Sequence, residues 1–374
     1  MNKVLSLLLA AAMVFAMCAC GQAAVPAPAA APAPAAEAAP AAEAAPAVSG
    51  EVVRVGTMCN AIGLPIYYAM EKGFFEEEGL NIELFLFPTG APINEALAAD
   101  ELDIANSGMA SVYALSTSNN YWLGDIISST AGLGIYVREG SPILTAGHAA
   151  DNENVLGSVD TVKGITILGT AGTSDQFNAD KYVSKFGLTA EDYEFLNMER
   201  GPAVQAYITG EGDAVVCGDT TYKTQLEAAG CIPVGSIYDC SGIGIYDGII
   251  AAKAFVDSRP ADAAAYVRCI YRAIEEMKAD EQARFDVGMK FYTENAKGYT
   301  DADMNAEIAA KRYLGKDEIS DPTYTFGSTM VGMGEFYVTT GKIEPDLKAN
   351  ISAGLHPEFV SEIYGVNVVP CTLD

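Results

Sequence analysis

From Glu51 onward, hydrophobic and polar residues alternate with two periods, one typical of strands and one of helices. The apolar runs VVRVGTM (52–58) and NIELFLF (81–87) predict strands. Between them, LPIYYAMEKGFFEEEG (64–79) predicts one helix, which has Pro65 in its first turn and a glycine as its stop. The pattern continues with a helix at 93–100, a strand at 102–107, a helix at 109–116 and a long extended segment at 125–139. This β-α-β-α-β order predicts parallel strands with right-handed crossovers.

The same pattern restarts in a second unit. ITILG (165–169) predicts a strand, small residues follow it, and SDQFNADKYVSKFG (174–187) predicts a helix with a T-x-x-Q capping box from Thr173 to Gln176. Strands are predicted at 193–198, 213–218 and 231–238, with helices at 202–210 and 220–230. The chain after residue 255 is mainly helical. Ligands of open α/β sheets bind beyond the carboxyl ends of the strands. Two facing units would therefore enclose a ligand and close by a hinge.

Composition and charge narrow the function classes. The 374 residues are 50% hydrophobic and 19% charged, which indicates a globular body. The net charge of −27 argues against a nucleic-acid-binding surface. Only His148 and His356 are present, and GxSxG and HExxH are absent, so we expect no enzyme and no catalytic residues. No CxxC pair occurs, so we expect no metal site. A nucleotide-binding Walker A loop needs Gly-Lys-Ser/Thr, and no Lys follows Gly172, so we expect no nucleotide or other cofactor.

The N-terminal fifty residues are not part of this body. MNKVLSLLLAAAMVFAMCAC (1–20) has one basic residue and an apolar stretch too short for a convincing membrane span. It resembles the bacterial lipoprotein signal, in which the last cysteine, here Cys20, receives diacylglycerol; the alternative is an ordinary signal peptide cut elsewhere. Residues 21–50, rich in Pro and Ala, predict a tether that reaches roughly 90 Å at ~3.1 Å per residue.

Export permits disulfides, for which Cys231 and Cys240 are the candidate pair.

Several blocks together resemble one family. They are LPIYYAMEKGFFEEEGLNIEL, NEALAADELDIANSGMAS, GITILGTAGTSDQFN, AVQAYITGEGDAVV and EFYVTTGKIEPDL. In this order they are similar to the substrate-binding lipoproteins of bacterial ABC importers, in the branch for nitrate, taurine, alkanesulfonates and thiamine-pyrimidine precursors. The resemblance implies a type II periplasmic-binding-protein fold, with two α/β lobes joined by two crossing strands. It also implies a monomer that is anchored outside the cytoplasm and delivers a small solute to a membrane permease.

The resemblance sets the expected domains. The chain would leave lobe one near Arg138 and return near Tyr246. Lobe one would then comprise 51–138 and 247–374, and lobe two 139–246.

Four strand-end loops and three further positions provide the candidate ligand-binding residues. Hydroxyls, backbone N–H groups, one Arg and tyrosine rings would contact the solute. The candidates are Asn60, Tyr67, Ser107, Gly108, Ser111, Thr170, Gly172, Thr173, Ser174, Arg200, Asp219, Thr220, Tyr222, Tyr246 and Asp247.

Each candidate also has a purely structural interpretation. The loop at 169–173 can be a tight turn with a good cap, and Arg200 can be a surface residue. Asp175, Asp219 and Asp247 can be helix-capping charges. Carboxylates near the loops would nevertheless lower the affinity for a ligand that carries only negative charge. We therefore expect a ligand that also carries donors, such as an amino-sulfonate, or alternatively an aminopyrimidine. Other function classes left open are a membrane-tethered sensor and an enzyme related to pyrimidine synthesis.

Overall fold

The computed structural model describes residues 47–128, 133–218, 220–242, 244–339 and 341–372. The signal peptide, Cys20 and nearly all of the tether lie outside the described residues, as does Asp219.

The strands fall into two large sheets and one small hairpin. In chain order they are β1 (Val52–Met58), β2 (Asn81–Phe87), β3 (Ile104–Ser107), β4 (Asn120–Ser128), β5 (Gly134–Arg138), β6 (His148–Ala149), β7 (Asn152–Leu156), β8 (Thr166–Gly169), β9 (Glu194–Asn197), β10 (Ala214–Cys217), β11 (Cys231–Ser236), β12 (Tyr246–Ala252) and β13 (Arg312–Tyr313).

The helices cover the sheets and form most of the C-terminal third. They are α1 (Leu64–Glu71), α2 (Phe74–Glu78), α3 (Gly90–Ala98), α4 (Ser111–Ser116), α5 (Val159–Val162), α6 (Ser174–Ser184), α7 (Arg200–Ile208), α8 (Thr220–Ala228), α9 (Ile237–Ser241), α10 (Lys253–Ser258), α11 (Pro260–Ala279), α12 (Glu281–Glu294), α13 (Asp301–Ala310), α14 (Lys316–Ile319), α15 (Ser328–Thr339), α16 (Lys348–Ala353) and α17 (Glu358–Tyr364). Two 3₁₀ turns lie at Pro142–Thr145 and Pro345–Leu347.

The first sheet, which defines lobe one here, has the order β13-β4-β12-β3-β1-β2. Strand β1 pairs in parallel with β2 and β3, as the βαβ pattern predicts. Strand β12 arrives from the other end of the chain and pairs antiparallel with both β3 and β4.

The second sheet, which defines lobe two, repeats this plan with the order β11-β5-β10-β8-β9. Strand β8 pairs in parallel with β9 and β10, and β5 pairs antiparallel with β10 and β11. In each sheet, four strands therefore run in one direction, and the chain supplies one antiparallel strand on crossing from the other sheet, β12 in the first and β5 in the second. The short strand β13 adds a further antiparallel edge to the first sheet. The crossings are β4 to β5 and α9 to β12.

Two details of the sequence-based picture differ from the structure. The segment 64–79 is two helices, because Gly73 has φ = 74° and interrupts the first one. Strand β5, which we expected to end lobe one, pairs within the second sheet, so by strand pairing the crossing lies before Gly134 rather than near Arg138. The return at Tyr246 coincides with the start of β12.

The cores of the lobes are built from the apolar strand faces and the helices that cover them. In lobe one, Val53, Val55 and Ile104 are fully buried, and α3 packs on the two strands that carry them. A second cluster in lobe two packs α7 and α8 on the sheet through residues such as Tyr207 and Leu226. Cys231 and Cys240 are both unbridged thiols in this structure, so the disulfide expected between them is not formed. Over the described ranges, no helix combines the length and apolar character needed to cross a bilayer.

Candidate functional site

A cavity of about 100 Å³ lies where the parallel strands of both sheets end. Its wall includes residues that follow β1, β2 and β3 of lobe one and residues that follow β8, β9 and β10 of lobe two. A single water needs about 10–15 Å³ on this measure, so there is room for several waters or one small solute. The location is the one expected from the ligand rule for open α/β sheets.

Six of the predicted residues line this cavity. They are Asn60, Gly108, Thr173, Ser174, Arg200 and Asp247. They come from both lobes, so the structure brings together positions that are far apart in the chain.

The glycine at position 108 allows a close approach. A Cβ atom there would lie 2.7 Å from Oδ1 of Asp247. The loop after β3 therefore packs directly against β12, the strand that returns from lobe two.

Arg200 is fixed by a buried carboxylate. Its Nη2 donates to Asp175 at 2.5 Å and its Nε at 3.3 Å, and the same carboxylate accepts from the backbone N–H of Thr170 at 3.2 Å. Asp175 is fully buried, whereas Arg200 retains some exposure on the cavity side. The charge of Asp175 is thus matched by Arg200, and this carboxylate is not among the residues that line the cavity.

The loop that leads to α6 is a capped turn and also a cavity wall. Gly172 has φ = 69°, which favours glycine. Thr173 caps α6: its hydroxyl accepts from the N–H of Asp175 at 3.2 Å and donates to the carbonyl of Thr170 at 2.8 Å. Gln176 accepts from the N–H of Gly172, not from that of Thr173, so the expected reciprocal capping box was wrong.

The other predicted residues have structural contacts away from the cavity wall. Tyr67 donates to Glu294 and packs on Phe291, and Thr170 donates to the carbonyl of Met198. The hydroxyl of Tyr222 lies 2.7 Å from the place where Gly201 would carry a Cβ. The ring of Tyr246 packs 6.3 Å from that of Tyr324.

Four further positions complete the predicted set. Ser107 and Ser111 are fully buried, and their hydroxyls have no partner among the described residues. Thr220 begins α8, and Asp219 lies outside the described residues.

Sequence reasoning missed Thr89. It precedes α3, lines the cavity and is 6% exposed, yet its hydroxyl makes no cap and finds no partner within the described ranges. The sequence does indicate a helix start at this point. Thr is a common N-cap residue, and Pro92, three residues after Thr89, is tolerated in the first turn of a helix.

It also missed α13, a helix of the C-terminal region that supplies Glu307 to the cavity wall, and Lys311, which directly follows this helix and also lines the cavity. Glu307 accepts from Tyr292 at 2.7 Å and from Tyr299 at 2.6 Å. Burial, together with the neighbouring Glu307 carboxylate, raises the pKa of Tyr292 well above its ordinary value. The hydroxyl of Tyr292 therefore stays protonated and serves as a donor to Glu307.

The C-terminal helices also connect the lobes beside the cavity. Tyr337 of α15 stacks on Tyr113 of lobe one at 5.0 Å, and its hydroxyl donates to the carbonyl of Thr173 at 3.3 Å. Lys342 pairs with Asp180 of lobe two at 2.5 Å. These contacts hold the two lobes together in the structure.

Among the described residues no cluster of three or more His, Cys, Asp and Glu side chains is suited to a metal ion.

Similar proteins share this architecture. The chain is 25% identical over 311 residues to a putative ABC transporter periplasmic binding protein of Brachyspira hyodysenteriae, covering 83% of this chain and 89% of that one. The alkanesulfonate-binding protein SsuA of Xanthomonas axonopodis pv. citri, bound to MOPS, superposes with a TM-score of 0.64 at 14% identity, covering 82% of this chain and 98% of SsuA.

The periplasmic nitrate-binding protein NrtA of Synechocystis PCC 6803 superposes with a TM-score of 0.67 at 13% identity, covering 86% and 90% of the two chains. The expected bilobed periplasmic-binding-protein fold is thereby confirmed. Residues 60–127 and 142–283 match the family described as NMT1/THI5 like. Because this match includes more than half of the chain, the protein belongs to the NMT1/THI5-like family.

Proposed function

We propose that this protein is the substrate-binding component of an ABC importer, which captures a small organic anion of the sulfonate type between its lobes and delivers it to a membrane permease. The observation that carries the proposal is the cavity at the strand ends of both sheets, to which Arg200, held in place by Asp175, presents its guanidinium group. The fold, the family and the similarity to a putative periplasmic binding protein of an ABC transporter support the importer role.

The polar groups of the wall suit a sulfonate. The Thr89 hydroxyl is buried at the start of α3 without a partner among the described residues, and a buried donor without an acceptor is costly. A sulfonate oxygen beside it would accept its hydrogen bond, and the first N–H groups of α3 favour negative charge.

An aminopyrimidine is a weaker candidate for this cavity. Such a ring is commonly held by stacking on an aromatic side chain. The described residues of the wall include no Phe, Tyr or Trp, and Tyr67, Tyr222 and Tyr246 make their contacts elsewhere.

We further propose that the protein acts outside the cytoplasm, held to the membrane by lipid on Cys20 and by the tether at 21–50. The signal sequence supports this, and an anchored binding protein stays near its permease. A Cys20→Ser variant is expected to move from the membrane fraction to the soluble fraction.

The ligand class is tested by calorimetry and thermal shift on the full chain in mild detergent. The panel is taurine, linear alkanesulfonates, nitrate and an aminopyrimidine. A ligand at about 100 times its dissociation constant adds about 2.7 kcal/mol to the free energy of unfolding. We expect stabilisation by sulfonates and none by the aminopyrimidine. Tight binding of the aminopyrimidine or of nitrate, with no sulfonate binding, would overturn the proposal.

A further inference from the structure

Helix α15 reaches from lobe one to lobe two beside the cavity. Its start is fixed to lobe one by Asp125 of β4, whose fully buried carboxylate accepts from the hydroxyl of Tyr324 and from the N–H of Gly327, both at 2.9 Å. The helix also packs on α4, which follows β3 of the same lobe. Any movement of lobe one relative to lobe two would therefore carry α15 with it.

The first turn of α15 also holds the second crossing between the lobes. The hydroxyl of Thr329 accepts from the N–H of Tyr246 at 2.8 Å and donates to the carbonyl of Gly244 at 3.3 Å. Both partners lie where the chain leaves α9 and enters β12. Helix α15 is thus attached at the place where a hinge between the lobes would bend.

The far end of α15 contacts lobe two through three side chains, which we name the latch: Phe336, Tyr337 and Lys342. The ring of Phe336 packs edge-on against that of Phe177 of α6, with 5.0 Å between the ring centres. Tyr337 stacks on Tyr113 of lobe one and donates to the carbonyl of Thr173 of lobe two at 3.3 Å. The latch therefore spans the cleft between the lobes.

The ion pair of the latch joins the lobes through a buried carboxylate. Asp180 of α6 is 5% exposed, and one of its oxygens accepts from Tyr193 of its own lobe at 2.8 Å. The other oxygen accepts from Lys342 at 2.5 Å. A buried charge without a partner is costly. If the lobes separated, water would replace Lys342 at Asp180, so this pair stabilises only the closed arrangement.

A second contact between the lobes acts in the same direction. Asp303 of α13 accepts from the hydroxyl of Thr224 of α8 at 3.0 Å. Helix α13 packs on α12, and α12 packs on α1 of lobe one, whereas α8 packs on β11 of lobe two. The latch side chains, Asp180, Thr224 and Asp303 are all absent from the described residues that line the cavity.

We propose that the latch keeps the cleft closed before the solute binds, and that the Lys342–Asp180 pair thereby sets the solute affinity from outside the cavity. An apparent dissociation constant equals the intrinsic constant divided by the fraction of protein in the binding-competent conformation. Weakening the latch lowers the closed fraction, so it should weaken every solute by the same factor. The effect on affinity rests on the proposed function, whereas the closure itself does not.

Closure is tested first without any solute. Spin labels are placed on two exposed helix positions, with Glu95→Cys on α3 of lobe one and Gln205→Cys on α7 of lobe two. The half-buried thiols of Cys59 and Cys371 are replaced by serine. Double electron–electron resonance on the full chain in mild detergent then gives the distribution of distances between the lobes.

Three variants of the labelled protein separate the latch from general effects of charge. Lys342→Met removes the cation of the latch, and Lys342→Arg keeps it. Lys348→Met removes an equal charge from a surface pair with Glu335, which joins α15 to α16 and does not reach lobe two. The wild type, Lys342→Arg and Lys348→Met should each show one short distance that ethanesulfonate leaves unchanged. Lys342→Met should add longer distances, which ethanesulfonate shortens again.

Affinity is measured by calorimetry for ethanesulfonate and butane-1-sulfonate. Lys342→Met should weaken both by the same factor, about tenfold if it lowers the closed fraction to about a tenth. Lys342→Arg and Lys348→Met should stay within about threefold of the wild type. Unequal factors for the two sulfonates would show that Lys342 acts on the solute inside the cavity, and this would overturn the proposal.

Two results of the distance measurement also overturn it. One is a wild type that is open before solute is added, and the other is a Lys342→Met variant with the wild-type distances. If Lys342→Met does not fold, Tyr337→Phe decides, because it keeps the stacking on Tyr113 and removes the donor to Thr173; unchanged distances and affinities then refute the latch. If the wild type binds neither sulfonate, the proposed ligand class fails, and the distances still decide the closure.

Discussion

Two threonines precede helices on opposite sides of the cavity, and their hydroxyls are used differently. Thr173 of lobe two caps its own helix and also donates to the carbonyl of Thr170. Thr89 of lobe one occupies the same position before α3 and is equally buried, yet its hydroxyl has no partner among the described residues. The same residue type at the same kind of position is thus a cap in one lobe and an unsatisfied group facing a cavity in the other.

The difference separates residues that build the site from residues available to a ligand. In the loop before α6 and the first turn of that helix, the side chains satisfy one another: Thr173 caps, Asp175 binds Arg200, and Gln176 binds Gly172. Further along α6, the buried side-chain amide of Asn178 has no partner among the described residues. The lobe-one side leaves hydroxyls without partners, at Thr89, Ser107 and Ser111. We infer that the loop before α6 is preorganised and that the ligand satisfies the Thr89 hydroxyl, which lines the cavity.

The largest expected effect comes from breaking the buried pair in lobe two. Arg200→Ala leaves Asp175 charged, fully buried and without its cation, which should lower the free energy of unfolding by about 3 kcal/mol. It also removes a cation from the cavity, so sulfonate affinity should fall more than tenfold. Urea denaturation and calorimetry measure the two effects.

A double variant serves as the control for this pair. Asp175→Asn with Arg200→Met removes both charges and keeps an acceptor for the Thr170 N–H. It should recover most of the stability but none of the affinity. A double variant as unstable as Arg200→Ala would contradict the pairing account, and one that binds normally would contradict the ligand role of Arg200.

A smaller effect is expected at Thr89. Thr89→Val keeps the shape and removes a buried hydroxyl without a partner, so the free energy of unfolding should stay level or rise by up to about 1 kcal/mol. Affinity for a sulfonate should fall about tenfold, because a hydrogen bond to a charged group is lost. A loss of stability without a loss of affinity would show that the hydroxyl has a structural partner.

The smallest effect is expected at Thr173. Thr173→Ala removes an N-cap and should lower the free energy of unfolding by about 1 kcal/mol. Its hydroxyl is already engaged by α6 and Thr170, so affinity should change less than threefold. The opposite outcome, unchanged stability with a tenfold weaker affinity, would make the Thr173 hydroxyl a ligand contact and remove the contrast with Thr89.

The strands and helices of both α/β units could be predicted from the sequence because each carries a clear period. The apolar run at β1 and the helical face of α6 are local signals, and the site follows from them through the rule on strand ends. That is why Asn60, Gly108, Ser174 and Arg200 could be named without coordinates.

What could not be predicted depends on contacts between distant segments. Tyr67 faces Glu294 rather than the cavity because α1 packs on α12, and nothing near Tyr67 in the chain reports this. Glu307 lies on a helix that follows both α/β units in the chain. The rule that ligands bind at the carboxyl ends of strands therefore does not predict it. The partner of Asp175 was also hidden, since a carboxylate in a helical first turn is equally compatible with a simple capping charge.

The exchange of strands between the sheets has a consequence for the order of folding. Lobe two is continuous in the chain from β5 to α9, so its sheet can form as soon as that stretch is available. The first sheet is interrupted, because β12 pairs residue 248 with residue 107 and must arrive before β3 and β4 are joined. Pairings between such distant residues form slowly. We therefore expect lobe two to fold first. The pairing of β12 with β3 and β4, which lie earlier in the chain, should then complete the native state.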